Sequence, residues 1–397
     1  VTAGVVRPQK PVRDRPTWIS YIQISLFAFF LYGFGATQAL LRDEQGTSRT
    51  LSGLHATSFA IAAVIAALLL PKAIHRWGRS KVLRYGVIGM CIGLGVYTWP
   101  GAGLPVSLSG VFIISGFGAA IIITSNAFFL DYQKGAGPAT LTEGNAIAAT
   151  FGFISPLVIG IGTATFLGWR TGLWALIVAL IVSEILRGRY ASAYGEPGLV
   201  RRREEHHGPL PFSYWATLVM VAFLLATEFS LTLWSADLLR DRGDLGAAAA
   251  AASVAAILGG MVTGRLIGGR LAETHSIDFL LRTSIGIALV AFVLVWWSTN
   301  AALIVVGLFL LGIGISVHWP MGVSRVVRAS GGLTDTGSSA ASLWGAAAGG
   351  VAPFILGALS DSYGVHAAFL IIPVMLVAAF VIITLVPVTG AEELPHS

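Results

Sequence analysis

One carboxylate, Glu228, interrupts an otherwise apolar run over residues 212–239. At 1.5 Å per residue such a run crosses the ~30 Å hydrocarbon core of a bilayer, with Glu228 near its midpoint. An ionisable group at that depth costs roughly 2.5 to 3.5 kcal/mol on insertion scales, so it belongs against a protein-lined cavity rather than lipid. The chemistry open to it is reversible protonation, the proton following whichever side the cavity opens to. The alternative is a neutral acid hydrogen-bonded to a neighbouring helix. Thr232 and Ser235, four and seven residues on, share its helical face and extend it into a polar stripe. Asp237 falls about half a turn round, at the level of the water, and reads as a solvated helix end.

Other side chains add to this chemistry. His318, beside Trp319 and Pro320 in a later apolar run, is a second proton site, a substrate hydrogen-bond donor, or a histidine packed at a proline bend. Tyr32, Trp234, Trp319 and Trp344 offer faces on which sugar rings stack, with Gln23, Gln38 and Asn126 as amides for the hydroxyls. The same aromatics serve equally as packing and interface anchors. Asp131 is placed to pair with Arg76 or Arg79 and hold an inner gate shut, and Glu273, the acid in the corresponding loop of the second half, is a further gating candidate. His55 reads as interfacial. Cys91 is the one cysteine, and His206-His207 has no third ligand nearby, so no disulfide, haem or metal site is expected. Without a nucleophile and base pair or a phosphate loop, no enzyme and no cofactor are expected either.

The elements that position these groups are membrane helices. Of 397 residues, 55% are hydrophobic and 11% charged, and the mean hydropathy is +0.79. A soluble globule carries about 25% charge, so the chain is polytopic. Runs at 18–41, 50–74, 81–99, 104–130, 140–166, 169–188, 212–239, 245–272, 278–298, 301–324, 336–359 and 364–388 make about twelve helices, with nothing resembling a barrel. Lys and Arg divide roughly four to one in favour of the side holding the N-terminus, Arg187 and Arg325 among them. The N- and C-termini are therefore expected in the cytoplasm of a bacterial-type inner membrane. The net charge of +6 belongs to the anionic inner leaflet rather than to nucleic acid. The basic start leads into a retained first helix.

Two halves correspond at an offset of about 197 residues. Leu40-Leu-Arg-Asp43 recurs as Leu238-Leu-Arg-Asp241. Gly116 and Gly118 recur as Gly312 and Gly314, and Gly152, Pro156 and Gly160 as Gly349, Pro353 and Gly357. The expected organisation is a cytoplasmic segment 1–17, a six-helix bundle 18–188, a linker 189–211, a second bundle 212–388 and a tail 389–397. Such duplication belongs to carriers whose halves rock about a central site.

The loop Leu70-Pro-Lys-Ala-Ile-His-Arg-Trp-Gly-Arg-Ser-Lys81 resembles the signature of the major facilitator superfamily at Arg76, Gly78 and Arg79, with Pro71 and His75 in place of its first glycine and its acid. Gly269-Arg-Leu-Ala-Glu273 and Gly357-Ala-Leu-Ser-Asp-Ser-Tyr-Gly364 resemble its later loops. Ala226-Thr-Glu-Phe-Ser230 with Trp234, Gly264 to Arg270, and Gly312 to Pro320 are similar to the fucose-permease-like branch. The resemblance implies an all-α membrane fold of twelve helices in two pseudo-symmetric bundles. It implies a monomeric secondary active transporter moving a sugar-like or neutral metabolite with protons by alternating access. Phe112 stands where drug antiporters carry an arginine, which disfavours proton-driven efflux of drugs or metabolites but leaves it as the alternative.

Overall fold

The computed structural model describes residues 11–133, 136–166, 168–195, 209–272 and 274–388. Among these the chain is helical: α1 Arg15–Gln45, α2 Arg49–Trp77, α3 Arg79–Tyr97, α4 Leu104–Tyr132, α5 Gly137–Thr163, α6 Arg170–Gly188 and α7 Phe212–Arg242. There follow α8 Ala247–Leu271, α9 Ile277–Trp297, α10 Ala301–Ala329, α11 Thr334–Tyr363 and α12 Val365–Leu385. Eleven described helices are long and apolar enough to cross a bilayer. The remaining one, α3, carries Arg79, Lys81 and Arg84 in its first turns, which lowers its apolarity without changing its place in the series. The expected all-α polytopic architecture is therefore present. "Inner" and "outer" below follow the orientation expected from the cations.

Three helices are interrupted. The helix α8 breaks at Val254, α10 between Ile315 and His318, and α12 around Phe369 and Leu370. Pro320 and Pro373 explain the last two, because a proline cannot donate to the carbonyl four residues earlier.

The chain divides into two compact units that do not follow the sequence halves. One holds residues 1–33, 62–155 and 170–200; the other holds 34–61, 156–169 and 201–397. In the first, α3 lies along α4 at glycine contacts: a Cβ on Gly110 would sit 2.5 Å from the Tyr97 nitrogen, and one on Gly93 2.7 Å from that of Ile114. In the second, α8 and α10 touch backbone to backbone at Gly260 and Gly312, where no Cβ fits. Small residues allow this approach in a medium that gives no hydrophobic drive for helix association.

The repeat is visible as contacts. Gly152 of α5 packs on the Tyr32 ring of α1, and Gly349 of α11 packs on Phe229 of α7. Each member of the second pair lies about 197 residues after its counterpart in the first. Gly35 of α1 abuts the Thr232 backbone of α7 at the same offset, so these helices meet at corresponding points. Contacts of this kind explain why the outer ends of α1 and α2 join the second unit.

Candidate functional site

The buried carboxyl is positioned by one face of α7. Val221 fits against Gly322 of α10, the Leu224 backbone lies beside His318 of α10, and Leu225 packs on Gly345 of α11. Glu228 continues this face one turn on and is 7% exposed, so it looks into the unit rather than at acyl chains. The charge that acts on it is Arg265 of α8. Arg265 Nε also donates to the Ser316 carbonyl at 3.3 Å. That carbonyl is available because Pro320, four residues on, has no N–H to offer it. His318 is fully buried, and neither ring nitrogen hydrogen-bonds a described group. The structure thus brings Glu228, Arg265, Ser316 and His318 together on α7, α8 and α10.

The stripe expected beyond Glu228 is spent locally. Thr232 Oγ1 donates to the Glu228 carbonyl at 2.9 Å, and Ser235 Oγ donates to that of Leu231. Trp234 is fully buried and its indole N–H donates to the Pro353 carbonyl at 2.9 Å, so its ring is packing material here. The reason is angular: six residues from Glu228 is about 240° round the helix, on another face. Tyr32, Asn126, Trp319 and Trp344 are half-buried. Gln38 is buried and accepts from Ser52 Oγ at 3.2 Å, and Gln23 Nε2 donates to Glu184 at 3.3 Å. His55 is not interfacial: it is 1% exposed and its Nδ1 lies 2.9 Å from the Ser52 carbonyl.

Asp237 corrects the sequence reading most clearly. In place of a solvated end, its carboxylate is 2% exposed and 2.5 Å from Arg42 Nη2. The helices α1 and α7 converge here, so a position facing away from Glu228 meets protein instead of water. Arg240 Nη1 reaches Asp43 at 2.7 Å, and Arg49 Nε stands 3.8 Å from Asp237. Asp361, at the outer end of α11, accepts from the backbone N–H groups of Arg49 and Thr50 at 3.0 and 2.7 Å and from Thr50 Oγ1 at 2.6 Å. A carboxylate thus caps the start of α2, where orphan N–H groups and the helix dipole favour negative charge. These groups line a cavity of about 470 Å³. The sequence signal was the repeated Leu-Leu-Arg-Asp, which marked duplication but gave no hint that its cations cross between helices.

The comparisons agree with this architecture. A family model described as the Major Facilitator Superfamily matches residues 18–353. The chain belongs to the major facilitator superfamily. A bacterial homologue of the human lysosomal transporter Spinster, in an inward-facing, unoccupied conformation, is similar with a TM-score of 0.76 at 14% identity, over 95% of this chain and 97% of that one. Its occupied, inward-facing form gives 0.69 at 14%, over 94% and 95%. The Escherichia coli fucose:proton symporter gives 0.60 at 15%, over 94% and 100%. At these identities the likeness is one of fold. No curated protein matches in sequence.

In this facilitator the loop between α2 and α3 turns at Gly78, whose φ of 76° requires glycine. Arg79 pairs with Asp131 of α4, the second of the two pairings expected, while Arg76 is exposed and pairs with no described residue. His75 is exposed and makes no hydrogen bond with a described group. Glu273 and His206-His207 lie outside the described residues. Two of the cations counted to the inner side are buried. Arg325 is 1% exposed and holds Asp278, Thr217 and the Val386 carbonyl at 2.8, 2.7 and 2.6 Å. Arg187 is 0% exposed and holds Glu184 and Ser80. Glu143 of α5, which the sequence reading passed over, accepts from Arg13 at 2.8 Å and from Tyr21 at 3.2 Å.

Proposed function

We propose that this facilitator carries a small neutral, sugar-like solute together with protons by alternating access, as a symporter. The single observation behind this reading is the Glu228 carboxyl, buried at mid-helix within the electrostatic reach of Arg265 on a neighbouring helix, with the buried His318 of α10 set against the same face of α7 at Leu224. Ionised, Glu228 is balanced by Arg265. Protonated, it no longer attracts the guanidinium, which keeps its bond to the Ser316 carbonyl that Pro320 leaves open. One proton therefore changes how α8 is tied to α7, which is what a coupling site must do. Polar hydrogen-bonding groups and half-buried Trp319 and Trp344 suit a hydroxylated ring. The fucose:proton symporter is a carrier on this fold whose name joins a sugar to a proton.

The outer ionic cluster supplies the second requirement, a closed end. Arg42, Asp237, Arg240, Asp43 and Asp361 tie α1, α2, α7 and α11 in one arrangement, and the other arrangement must break those ties. We infer from the distribution of its cations that the protein lies in a bacterial-type inner membrane with both termini cytoplasmic.

The test is transport by the purified protein in proteoliposomes. Candidate sugars found by thermal shift should accumulate when the lumen is made alkaline, and dissipating the pH gradient should abolish accumulation. Accumulation indifferent to the gradient overturns proton coupling. A buried carboxylate near tryptophans also suits organic cations, so efflux of a lipophilic cation from the same vesicles, with no sugar accumulated, would select the export reading.

A further inference from the structure

A basic pocket opens at the inner end of the first unit, between α3 and α6. It has a volume of about 390 Å³ and is lined by Arg84, Glu184, Ile185, Gly188 and Arg189. One water occupies about 30 Å³ of liquid, so this space is built for something larger. The acid in it is already taken. Glu184 receives Arg187 Nη2 on Oε1 at 2.6 Å and Arg187 Nε on Oε2 at 2.7 Å, from a guanidinium that is itself fully buried. Arg84 Nε reaches the same carboxylate at 3.3 Å, as far off as Gln23 Nε2 and farther than Arg187, from a side chain 52% exposed. Arg189 is exposed and pairs with no described residue. Arg84, Arg187 and Arg189 thus stand against one carboxylate, Glu184, which leaves the pocket with a net positive charge.

Its surroundings say what kind of anion belongs there. Ile185 is 60% exposed, and Ile88, Ile181 and Tyr85 nearby on the two helices are 47 to 49% exposed. Such a rim faces acyl chains. Cationic pockets between membrane helices at the inner side suit phospholipid head groups, since they pair a phosphate with arginine while its chains lie on apolar side chains. We propose that Arg84 and Arg189 bind the phosphate of an anionic phospholipid of the inner leaflet, whose chains lie along Ile88, Ile181 and Ile185. Arg187 and Glu184 position the site: the carboxylate holds Arg84 at 3.3 Å while its own charge is already balanced by the closer, buried Arg187.

The experiment uses the full chain in nanodiscs of phosphatidylcholine containing a minor fraction of phosphatidylglycerol. Native mass spectrometry after detergent release should show retained phosphatidylglycerol, and its inclusion should raise the melting temperature. Arg84→Gln/Arg189→Gln should weaken retention about 30-fold, the effect of removing two such charges. Arg84→Lys/Arg189→Lys should retain most of it, and Lys72→Ala/Arg328→Ala, which loses equal charge elsewhere, should leave it unchanged. Equal retention by the glutamine variant, or equal loss in the Lys72/Arg328 control, overturns the site. Stabilisation by inorganic phosphate as strong as by the lipid overturns the lipid as its occupant.

Discussion

Arg42 of α1 and Asp237 of α7 form an ion pair of 2.5 Å in which the carboxylate is 2% exposed. The pairing joins one copy of the repeated Leu-Leu-Arg-Asp to a residue just ahead of the other. Removing Asp237 leaves Arg42 only Asp43, at 3.7 Å, so the loss is a part of the about 3 to 5 kcal/mol that an uncompensated buried charge costs. Asp237→Asn should therefore destabilise the closed outer end. In a Cys91→Ala background, a cysteine placed at the buried Ser235 should become accessible to an impermeant maleimide from outside. Unchanged labelling would show that the pair does not hold this end.

Glu228→Gln tests the coupling site. The amide keeps the shape of the acid and removes its proton, so accumulation driven by a pH gradient should fall to background while substrate exchange at equal pH persists. Proteoliposome uptake and counterflow measured side by side separate the two. Loss of both would point to a structural role.

Arg265→Lys keeps the positive charge near Glu228 but gives up the planar fork and the Nε donation to Ser316. Proton-driven uptake should drop several-fold with binding, read by thermal shift, preserved. Full activity in this variant would confine Arg265 to electrostatics alone.

Trp234 is packing in this structure, tied to the Pro353 carbonyl. Trp234→Phe should lower stability by about 1 kcal/mol, the net worth of one hydrogen bond, and leave KM for the substrate unchanged. A large rise in KM with unaltered stability would instead place the indole against the substrate.

Gly35 meets the Thr232 backbone with no space for a Cβ. Gly35→Val should prevent that approach and should expose the Ser235 cysteine to the same outside reagent, without touching any charge. Agreement between this variant and Asp237→Asn would show that helix proximity and the ion pair maintain one closure.

The sequence by itself determined the membrane class, the positions of the twelve helices and the place of Glu228 at mid-helix, because each follows from local composition and from 1.5 Å of rise per residue. It also held the repeat, since glycine and proline spacing survives in the letters. It did not settle which side of α7 meets which neighbour. Asp237 reads as solvated and Trp234 as a ligand when the helix is taken alone. Only the approach of α1 at Gly35 and of α11 at Pro353 turns the first into a buried ion pair and the second into packing. Arg187 and Arg325 show the same limit. The sequence assigns these cations only to a side, and the acids that pair with them come from contacts that hydropathy does not encode: a turn back on α6 and the start of α9. Periodicity fixes what a helix is and how deep its residues lie, whereas the partner of each polar side chain depends on rotation about the helix axis, which tertiary packing sets.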